Sequence, residues 1–249
     1  MISLPVVRIL LSAAALLTSC AGPSISSSRF VSSSNTGRDV WGHRPGPKGF
    51  DTVIIDAGHG GKDSGAVSPH TGQKEKDLTL DMAKRLRSEL SGDFKTVLMR
   101  SDDTFVDLDD RVVRSNKSGA VLVSMHFNAG GSGTAGPETY YWRVDSHGLA
   151  TRCQQAMSAV CPMKSGNRGL VRRRIRLTRN PEIPCILLEG GYLSNAAESR
   201  MISDAGYRQK LAHAIAGAIR TQAANGDEGT GPLPQPINAP PSRPTDAKE

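Results

Sequence analysis

The chain has 249 residues, with 31 Lys and Arg against 24 Asp and Glu for a net charge of +7, and 37% of its residues are hydrophobic. This composition excludes a membrane channel, a collagen-like fibre and a disulfide-dense miniprotein, because the apolar content is ordinary and there are only four cysteines. One globular domain with tails is the expectation. The positive charge is concentrated in one patch, since six arginines lie within residues 168–179.

The first 19 residues have the pattern of an export signal. Arg8 precedes an apolar run over residues 9–17, which is roughly half of the ~20 residues that a membrane-spanning helix requires. The sequence Leu-Thr-Ser before Cys20 resembles the bacterial lipobox, in which the cysteine is lipidated and becomes the mature N-terminus. The alternative is an ordinary secretory peptide cleaved near Ala21. The pattern favours a signal peptide over residues 1–19 and a lipid anchor on Cys20.

This anchor predicts an exported, periplasmic protein held on a membrane by several acyl chains, because one chain alone binds only marginally. By the same resemblance, Ala21 in place of an acidic residue indicates the outer membrane. Residues 20–50 are rich in Ser, Gly, Pro and Asn and predict a flexible tether. Residues 223–249 are rich in proline and predict a disordered tail, which leaves residues 51–222 as one folded domain.

Three further cysteines lie within the predicted domain, and no zinc-finger spacing is present. Cys153 and Cys161 can form a disulfide if the chain turns before Pro162, whereas a continuous helix would hold them too far apart. The pattern favours the second alternative, in which they are buried thiols. Cys185 lies in an apolar segment and is predicted to be a small core residue.

Hydrophobic periodicity predicts strands alternating with helices along this domain. The predicted strands cover residues 52–55, 95–99, 120–124, 139–143 and 185–188. The predicted helices cover residues 77–91, with Asp77 as N-cap, then 109–117 and 149–160, and a closing helix that includes Tyr207, Leu211, Ile215 and Ile219. Such alternation predicts an α/β fold, a single three-layer domain whose twisted, mostly parallel sheet carries helices on both faces.

His59, His126 and Glu189 each follow one of the apolar strands. Ligands bind at the carboxyl ends of strands in such sheets, so we expect these three side chains at one edge. Two imidazoles and one carboxylate make a catalytic zinc site with an open fourth position, and Glu75, just before the first helix, is the best-placed third ligand. Glu189 ends a buried strand, where desolvation would raise its pKa toward that of a working base. The alternative is a strand-end carboxylate that faces water.

The remaining histidines lack this setting. We assign them to the tether, a loop, a helix start and a helix surface, in the order His43, His70, His147 and His213.

Four blocks of the sequence resemble, in the same order, the zinc-dependent N-acetylmuramoyl-L-alanine amidases of bacterial cell-wall remodelling. The blocks are VIIDAGHGGKDSGA at residues 53–66, EKDLTL at 75–80, SMHFNA at 124–129 and LEGGYLSN at 188–195. The resemblance implies that His59, Glu75 and His126 bind one Zn²⁺ and that Glu189 is the catalytic carboxylate. It also implies the reaction, which is hydrolysis of the amide between N-acetylmuramic acid and L-alanine in peptidoglycan.

Secondary positions carry the same resemblance. Arg100 and Arg111 occupy two of them, and Asn128 and Glu138 are interpreted as residues that orient the substrate.

The basic run over residues 170–179 has two interpretations. In the structural one, Ile175 and Leu177 point inward on a strand and the arginines form its solvated face. In the functional one, Arg168, Arg172 and Arg174 form a rim that captures the carboxylates of stem peptides, since arginine binds carboxylates with two hydrogen bonds. Nucleic acid is not an expected partner, because export is predicted and no aromatic residues are interleaved with the arginines.

The family's division enzymes often carry an autoinhibitory insertion and a wall-targeting domain. The segment between His126 and Glu189 is compact, so we expect a monomeric amidase that is not self-blocked and that a lipid and tether hold near the wall. A protein activator is the protein partner considered, and strong activation by one would contradict this expectation. Two other functions remain open: a non-catalytic peptidoglycan-binding lipoprotein, and a zinc peptidase that cuts within the stem peptide.

Overall fold

A computed structural model describes residues 46–162, 167–180 and 182–234. The predicted signal peptide, Cys20, most of the predicted tether and the end of the predicted tail lie outside these ranges. The described residues all belong to one compact unit. None of the helices within them is both long and apolar enough to cross a membrane.

Six strands in the described chain form one sheet in the order β2-β1-β3-β6-β4-β5. The neighbours β2, β1, β3 and β6 are parallel, β4 is antiparallel to β6, and β5 is parallel to β4. The predicted mostly parallel sheet is therefore confirmed, with two reversed strands at one edge. The strands are β1 Thr52–Ala57, β2 Lys95–Leu98, β3 Ala120–Asn128, β4 Glu138–Tyr141, β5 Gly169–Arg172 and β6 Cys185–Tyr192.

The helices of the described chain are α1 Glu75–Leu90, α2 Leu108–Ser115, α3 His147–Val160, α4 Ala196–Ser203 and α5 Ala205–Asn225. α4 was not predicted from the sequence; it is a two-turn helix whose N-cap, Asn195, accepts hydrogen bonds from two backbone amides. The N-cap predicted for α1 is wrong, because the helix begins two residues before Asp77. The amide of Glu75 donates to the Ala66 carbonyl at 2.8 Å, which attaches the helix start to the preceding loop.

The sheet is covered on both faces, as predicted. One core contains Val53 and Ile55 of β1 and is covered by α1, α3 and α5. The other contains Ile54 of β1, packed with Val112 of α2 and Leu177 of the segment before β6. Because successive side chains of a strand point to opposite faces, both faces of β1 are apolar and the strand is fully buried.

The basic run forms a shorter strand than predicted. β5 ends at Arg172, and residues 176–179 form a turn in which the Arg179 amide donates to the Ile175 carbonyl at 3.2 Å. Ile175 and Leu177 are buried as predicted, with 5% and 1% of their surface exposed. Leu177 lies in this turn and belongs to the second core, and Ile175 lies just before the turn; neither is in a strand.

The ends of the described chain pack against each other beyond the predicted domain limits. α5 continues to Asn225, the amide of Gly49 donates to the Ala223 carbonyl at 2.8 Å, and the amide of Gly46 donates to Asp227 at 2.7 Å. The folded part therefore takes in residues from the predicted tether and the predicted tail.

The cysteines at positions 153, 161 and 185 are free thiols. α3 is continuous to Val160, so Cys153 and Cys161 follow the alternative without a disulfide. Cys153 is buried as expected, whereas Cys161 is only half-buried.

Candidate metal centre and active-site cleft

Three parallel strands deliver the predicted site residues to one edge of the sheet. β1 ends two residues before His59, and His126 of β3 is paired in register with Glu189 of β6. Together with Glu75 at the start of α1, these side chains line one open cavity of about 450 Å³. The convergence expected from the strand ends is present.

His59, Glu75 and His126 form a compact cluster. One Glu75 carboxylate oxygen lies 3.1 Å from His59 Nε2 and 3.0 Å from His126 Nδ1. One ligand atom from each residue lies within 4.8 Å of the others, and no other group of this kind occurs in the described ranges. Two imidazoles and one carboxylate are the donor set of many catalytic zinc sites, so these residues fit the ion that the resemblance implies.

Glu75 is held in place by two backbone amides. Its Oε2 accepts from the amide of Ala66 at 2.9 Å and its Oε1 from the amide of Phe127 at 3.1 Å. Burial alone would raise the pKa of Glu75, but hydrogen bonds from His126 and His59 hold it well below its usual range. The carboxylate is therefore ionised and oriented, as a metal ligand has to be.

His59 is oriented by a second carboxylate. Its Nδ1 lies 2.8 Å from Asp63, whose other oxygen accepts from the amide of Gly65 at 3.0 Å. Metal-binding histidines commonly use their second nitrogen in this way. Burial lowers the pKa of His59, yet the hydrogen bonds to Glu75 and Asp63 outweigh it, so the net pKa is raised.

The backbone around His59 is unusual. His59 has φ 61°, and no other non-glycine residue in the described ranges has a positive φ. This left-handed conformation is costly for a side chain with a Cβ and is often found at functional sites. The neighbouring Gly58 allows close approach, since a Cβ there would lie 2.2 Å from the His126 ring.

Two buried arginines hold this loop through its carbonyl groups. Arg100 donates to the carbonyls of Ala57 and Gly58, both at 2.9 Å, and Arg111 donates to that of His59 at 2.7 Å. Both side chains are almost completely buried. Their structural role gives a physical reason for the resemblance noted at these positions.

Glu189 lies between two polar side chains on the sheet. In register it pairs with His126 on one side and with Glu138 on the other. Side chains paired in register project from the same face of a sheet. The structure therefore aligns two carboxylates and one metal-ligand candidate in a row across β3, β6 and β4.

The two predicted substrate-orienting residues belong to one hydrogen-bond network. Glu138 accepts from the hydroxyls of Tyr140 at 2.9 Å and Tyr192 at 3.2 Å, and Asn128 donates to Tyr192 at 3.2 Å. Burial and Glu138 raise the pKa of Tyr140 to about 12. Asn128 and Tyr140 line the cavity, whereas Glu138 is buried behind them and lies 3.7 Å from Arg168.

Tyr140 and Tyr192 were not predicted from the sequence to belong to the site. The available signal was strand alternation, which places Tyr140 on the same face as Glu138 two residues earlier.

The arginine that lines the cavity is not one of those predicted. The side chains of Arg172 and Arg174 lie over the ring of Trp142, at 5.5 and 5.4 Å from its centroid, and Arg173 lines the cavity with Ile175. Residues 173–175 lie outside β5, so strand alternation could not have pointed to Arg173.

Comparison with known proteins agrees with the resemblance noted in the sequence. A profile of the N-acetylmuramoyl-L-alanine amidase family matches residues 53–221. The chain is 36% identical over 172 residues to the probable cell wall amidase LytH of Staphylococcus epidermidis, an alignment that covers 68% of this chain and 57% of that protein. It thus spans less than two thirds of the length of the curated relatives it matches.

Solved structures agree with the predicted fold. The catalytic domain of CwlV, an N-acetylmuramoyl-L-alanine amidase from Bacillus (Paenibacillus) polymyxa var. colistinus, is 38% identical with a TM-score of 0.65, covering 69% of this chain and 97% of that one. The CwlD amidase of Clostridioides difficile, solved in complex with the GerS lipoprotein, is 32% identical with a TM-score of 0.64 over the same shares.

Proposed function

We propose that this chain, which belongs to the N-acetylmuramoyl-L-alanine amidase family, hydrolyses the amide between the lactyl group of N-acetylmuramic acid and L-alanine in peptidoglycan. The observation that carries the proposal is the cavity that joins Glu189 to the cluster of His59, Glu75 and His126. A carboxylate beside a metal-binding cluster in an open cleft is the arrangement that metal-assisted amide hydrolysis needs.

The metal in this proposal is Zn²⁺, held by His59, Glu75 and His126. Zinc bound there would acidify water and polarise the scissile carbonyl. The chain's own contribution is a set of oriented donors, because Asp63 fixes the ring of His59 and backbone amides fix Glu75.

Glu189 is the proposed catalytic residue. It takes the proton from the attacking water and returns it to the leaving amine of L-alanine. Its position next to His126 in register keeps this proton transfer beside the metal ligands.

Substrate positioning is assigned to polar and basic side chains in and around the cleft. We assign Asn128 and the Glu138 network to orientation of the substrate, with Arg168 and Arg173 as binders of stem-peptide carboxylates. Arg172 and Arg174 lie over Trp142, so we expect them to contribute less to carboxylate binding.

The setting in the cell follows from the substrate, which lies outside the cytoplasm. The predicted signal peptide and the lipidated Cys20 would place the chain in the periplasm on a membrane, which we assign as the outer membrane. Its proposed role is daughter-cell separation or wall remodelling.

The enzyme is proposed to act as a monomer that does not block its own cleft. α3, the helix described between His126 and Glu189, packs on α5 and β4 and contributes no residue to the cavity wall. A lipoprotein partner is a further proposal, prompted by the CwlD amidase solved with the GerS lipoprotein.

Digestion of purified peptidoglycan by the zinc-loaded protein tests the function. We expect free stem peptides beginning with L-alanine, identified by mass, and a loss of about 10²- to 10⁴-fold in Glu189→Gln. Glu182→Gln, an exposed glutamate outside the cleft, is the matched control and should keep full activity. A sample treated with a chelator should release nothing.

Two outcomes would contradict the proposal. Cuts inside the stem peptide would make the protein a zinc peptidase. If no fragment is released but the protein co-sediments with the same wall material, it would be a binding protein.

A further inference from the structure

A second cavity, of about 260 Å³, adjoins the metal cluster and shares His59 and Asp63 with the first. Its remaining walls come from the segment before α2 and from α2 itself. They are formed by Phe105, Val106, Asp107, Leu108 and Arg111. A ligand in this cavity would lie directly beside the reacting centre.

Phe105 presents an aromatic ring at this cavity. It is 38% exposed, whereas its neighbour Val106 is 4% exposed and belongs to the second core. The ammonium of Lys62 lies 4.5 Å from the ring centroid. An aromatic ring kept partly in water beside an active site is available for stacking with a ligand.

The wall that carries Phe105 is fixed. Lys76 Nζ donates to the Gly61 carbonyl at 2.9 Å and to Asp103 at 2.6 Å, and Asp103 also accepts from the Gly61 amide at 2.9 Å. A Cβ on Gly61 would lie 2.8 Å from the Phe105 amide nitrogen, so the two loops are in close contact. Because the backbone that carries the ring is held in this way, a ligand would not have to order this loop on binding.

Charge distinguishes the two cavities. The first includes Arg173 and suits the carboxylates of a stem peptide. Carboxylates line both, since Asp63 is shared and the first cavity also contains Glu75 and Glu189. In the second cavity the charge of Arg111 is buried and paired with Asp56, so its lining residues offer a peptide acid no exposed cation. Its carboxylates, Asp63 and Asp107, can accept hydrogen bonds from hydroxyl and acetamide groups.

We infer that the second cavity is the sugar subsite, which binds the N-acetylmuramic acid ring through stacking on Phe105, and that the stem peptide occupies the cavity with Arg173. The inference rests on the proposed function. Of the two halves of that substrate, the sugar carries no carboxylate once its lactyl group is in the amide, so it does not need the cation of the first cavity and matches the aromatic wall of the second. Phe105 is then the residue that determines specificity for the sugar.

Two substrates that share the scissile amide test this inference. One is an N-acetylmuramoyl peptide, and the other is a lactoyl peptide of the same sequence that lacks the sugar ring. We expect the wild-type protein to prefer the first, and Phe105→Ala to lower kcat/KM for it about 10-fold, mainly through KM. Cleavage of the lactoyl peptide should not change.

The matched control is Val113→Ala, which removes an apolar side chain that is 72% exposed and lines neither cavity. It should leave both substrates unaffected. Equal losses on both substrates in Phe105→Ala, or no preference in the wild-type protein, would overturn the sugar subsite.

Binding of glycan strands whose lactyl groups are capped as methylamides, so that they carry neither peptide nor carboxylate, separates this inference from the proposed function. Strands bound by the wild-type protein and bound about 10-fold more weakly by Phe105→Ala would support the subsite even if neither peptide is cleaved, an outcome that would overturn only the proposed reaction. Equal binding by the two proteins would overturn the subsite alone.

Discussion

Two walls of the cleft are built differently. The loop that carries His59 follows the central strand β1 and is held by the buried side chains of Arg100 and Arg111. The wall with Arg173 follows β5, an edge strand, and its neighbouring arginines lie over Trp142. The first wall is fixed by the sheet core and a network of hydrogen bonds, whereas the second depends on contacts at an edge. We therefore expect changes in the first wall to cost stability and changes in the second to alter substrate binding.

The largest difference in stability should separate two arginine–aspartate pairs. Arg111 pairs with Asp56 in the interior, with both side chains almost fully buried, whereas Arg176 pairs with the exposed Asp109. Arg111→Met leaves a buried carboxylate without its partner and should cost about 3–5 kcal/mol of unfolding free energy. Arg176→Met should cost less than about 1 kcal/mol. Urea unfolding of both variants measures the difference, and similar losses would refute the contrast between the walls.

A smaller effect is expected at the second wall, on substrate binding. Arg173→Ala removes a charge from the cavity and should raise KM for peptidoglycan roughly 10-fold, which corresponds to about 1.4 kcal/mol, with little change in kcat. Arg172→Ala is the matched control, since its side chain lies over Trp142, and its KM should stay close to wild type. Steady-state kinetics on soluble fragments checks both, and the reverse result would restore the rim predicted from the sequence.

The difference between the two walls also explains which features could be predicted from the sequence. Parallel strands end at one edge, so the positions of His59, His126 and Glu189 followed from three apolar runs alone. The resemblance added Arg111 as a secondary position. Its role as a carbonyl-binding side chain depends on the exact path of the loop, and hydrophobic periodicity does not predict that path.

Edge features were harder to predict. The bounds of β5 and the choice of Arg173 depend on a chain reversal near Ile175, and runs of arginine are compatible with either strand or turn. α4 was missed because its single cap, Asn195, belongs to a glycine-rich block that the resemblance assigned to the site.

The smallest expected effect concerns the attachment of α1, which carries Glu75, to α5. Burial alone would raise the pKa of Asp81, but hydrogen bonds and charges of Arg85 and Arg208 hold it below its usual value. Since the pKa is lower in the folded state, this stabilisation is present above about pH 4 and is lost as the pH falls through the folded pKa.

Asp81→Asn should therefore be less stable than wild type at pH 7, and the gap should narrow below about pH 4. Thermal unfolding at both pH values measures it. Asp110→Asn, in an exposed pair with Arg114 at 3.8 Å, is the control and should change little. A stability difference between Asp81→Asn and wild type that is larger in acid than at pH 7 would contradict the lowered pKa of Asp81.

Zinc content is the measurement that tests the metal centre most directly. Purified wild-type protein, Glu75→Gln and Glu138→Gln would be dialysed against limiting zinc and analysed by mass spectrometry of the metal. The two substitutions remove the charge of buried carboxylates, one in the cluster and one behind the wall of the cleft. We expect a single zinc per chain in wild type and in Glu138→Gln, and binding at least about 100-fold weaker in Glu75→Gln. Unchanged zinc in Glu75→Gln, or none in wild type, would contradict the assignment of His59, Glu75 and His126 as the metal site.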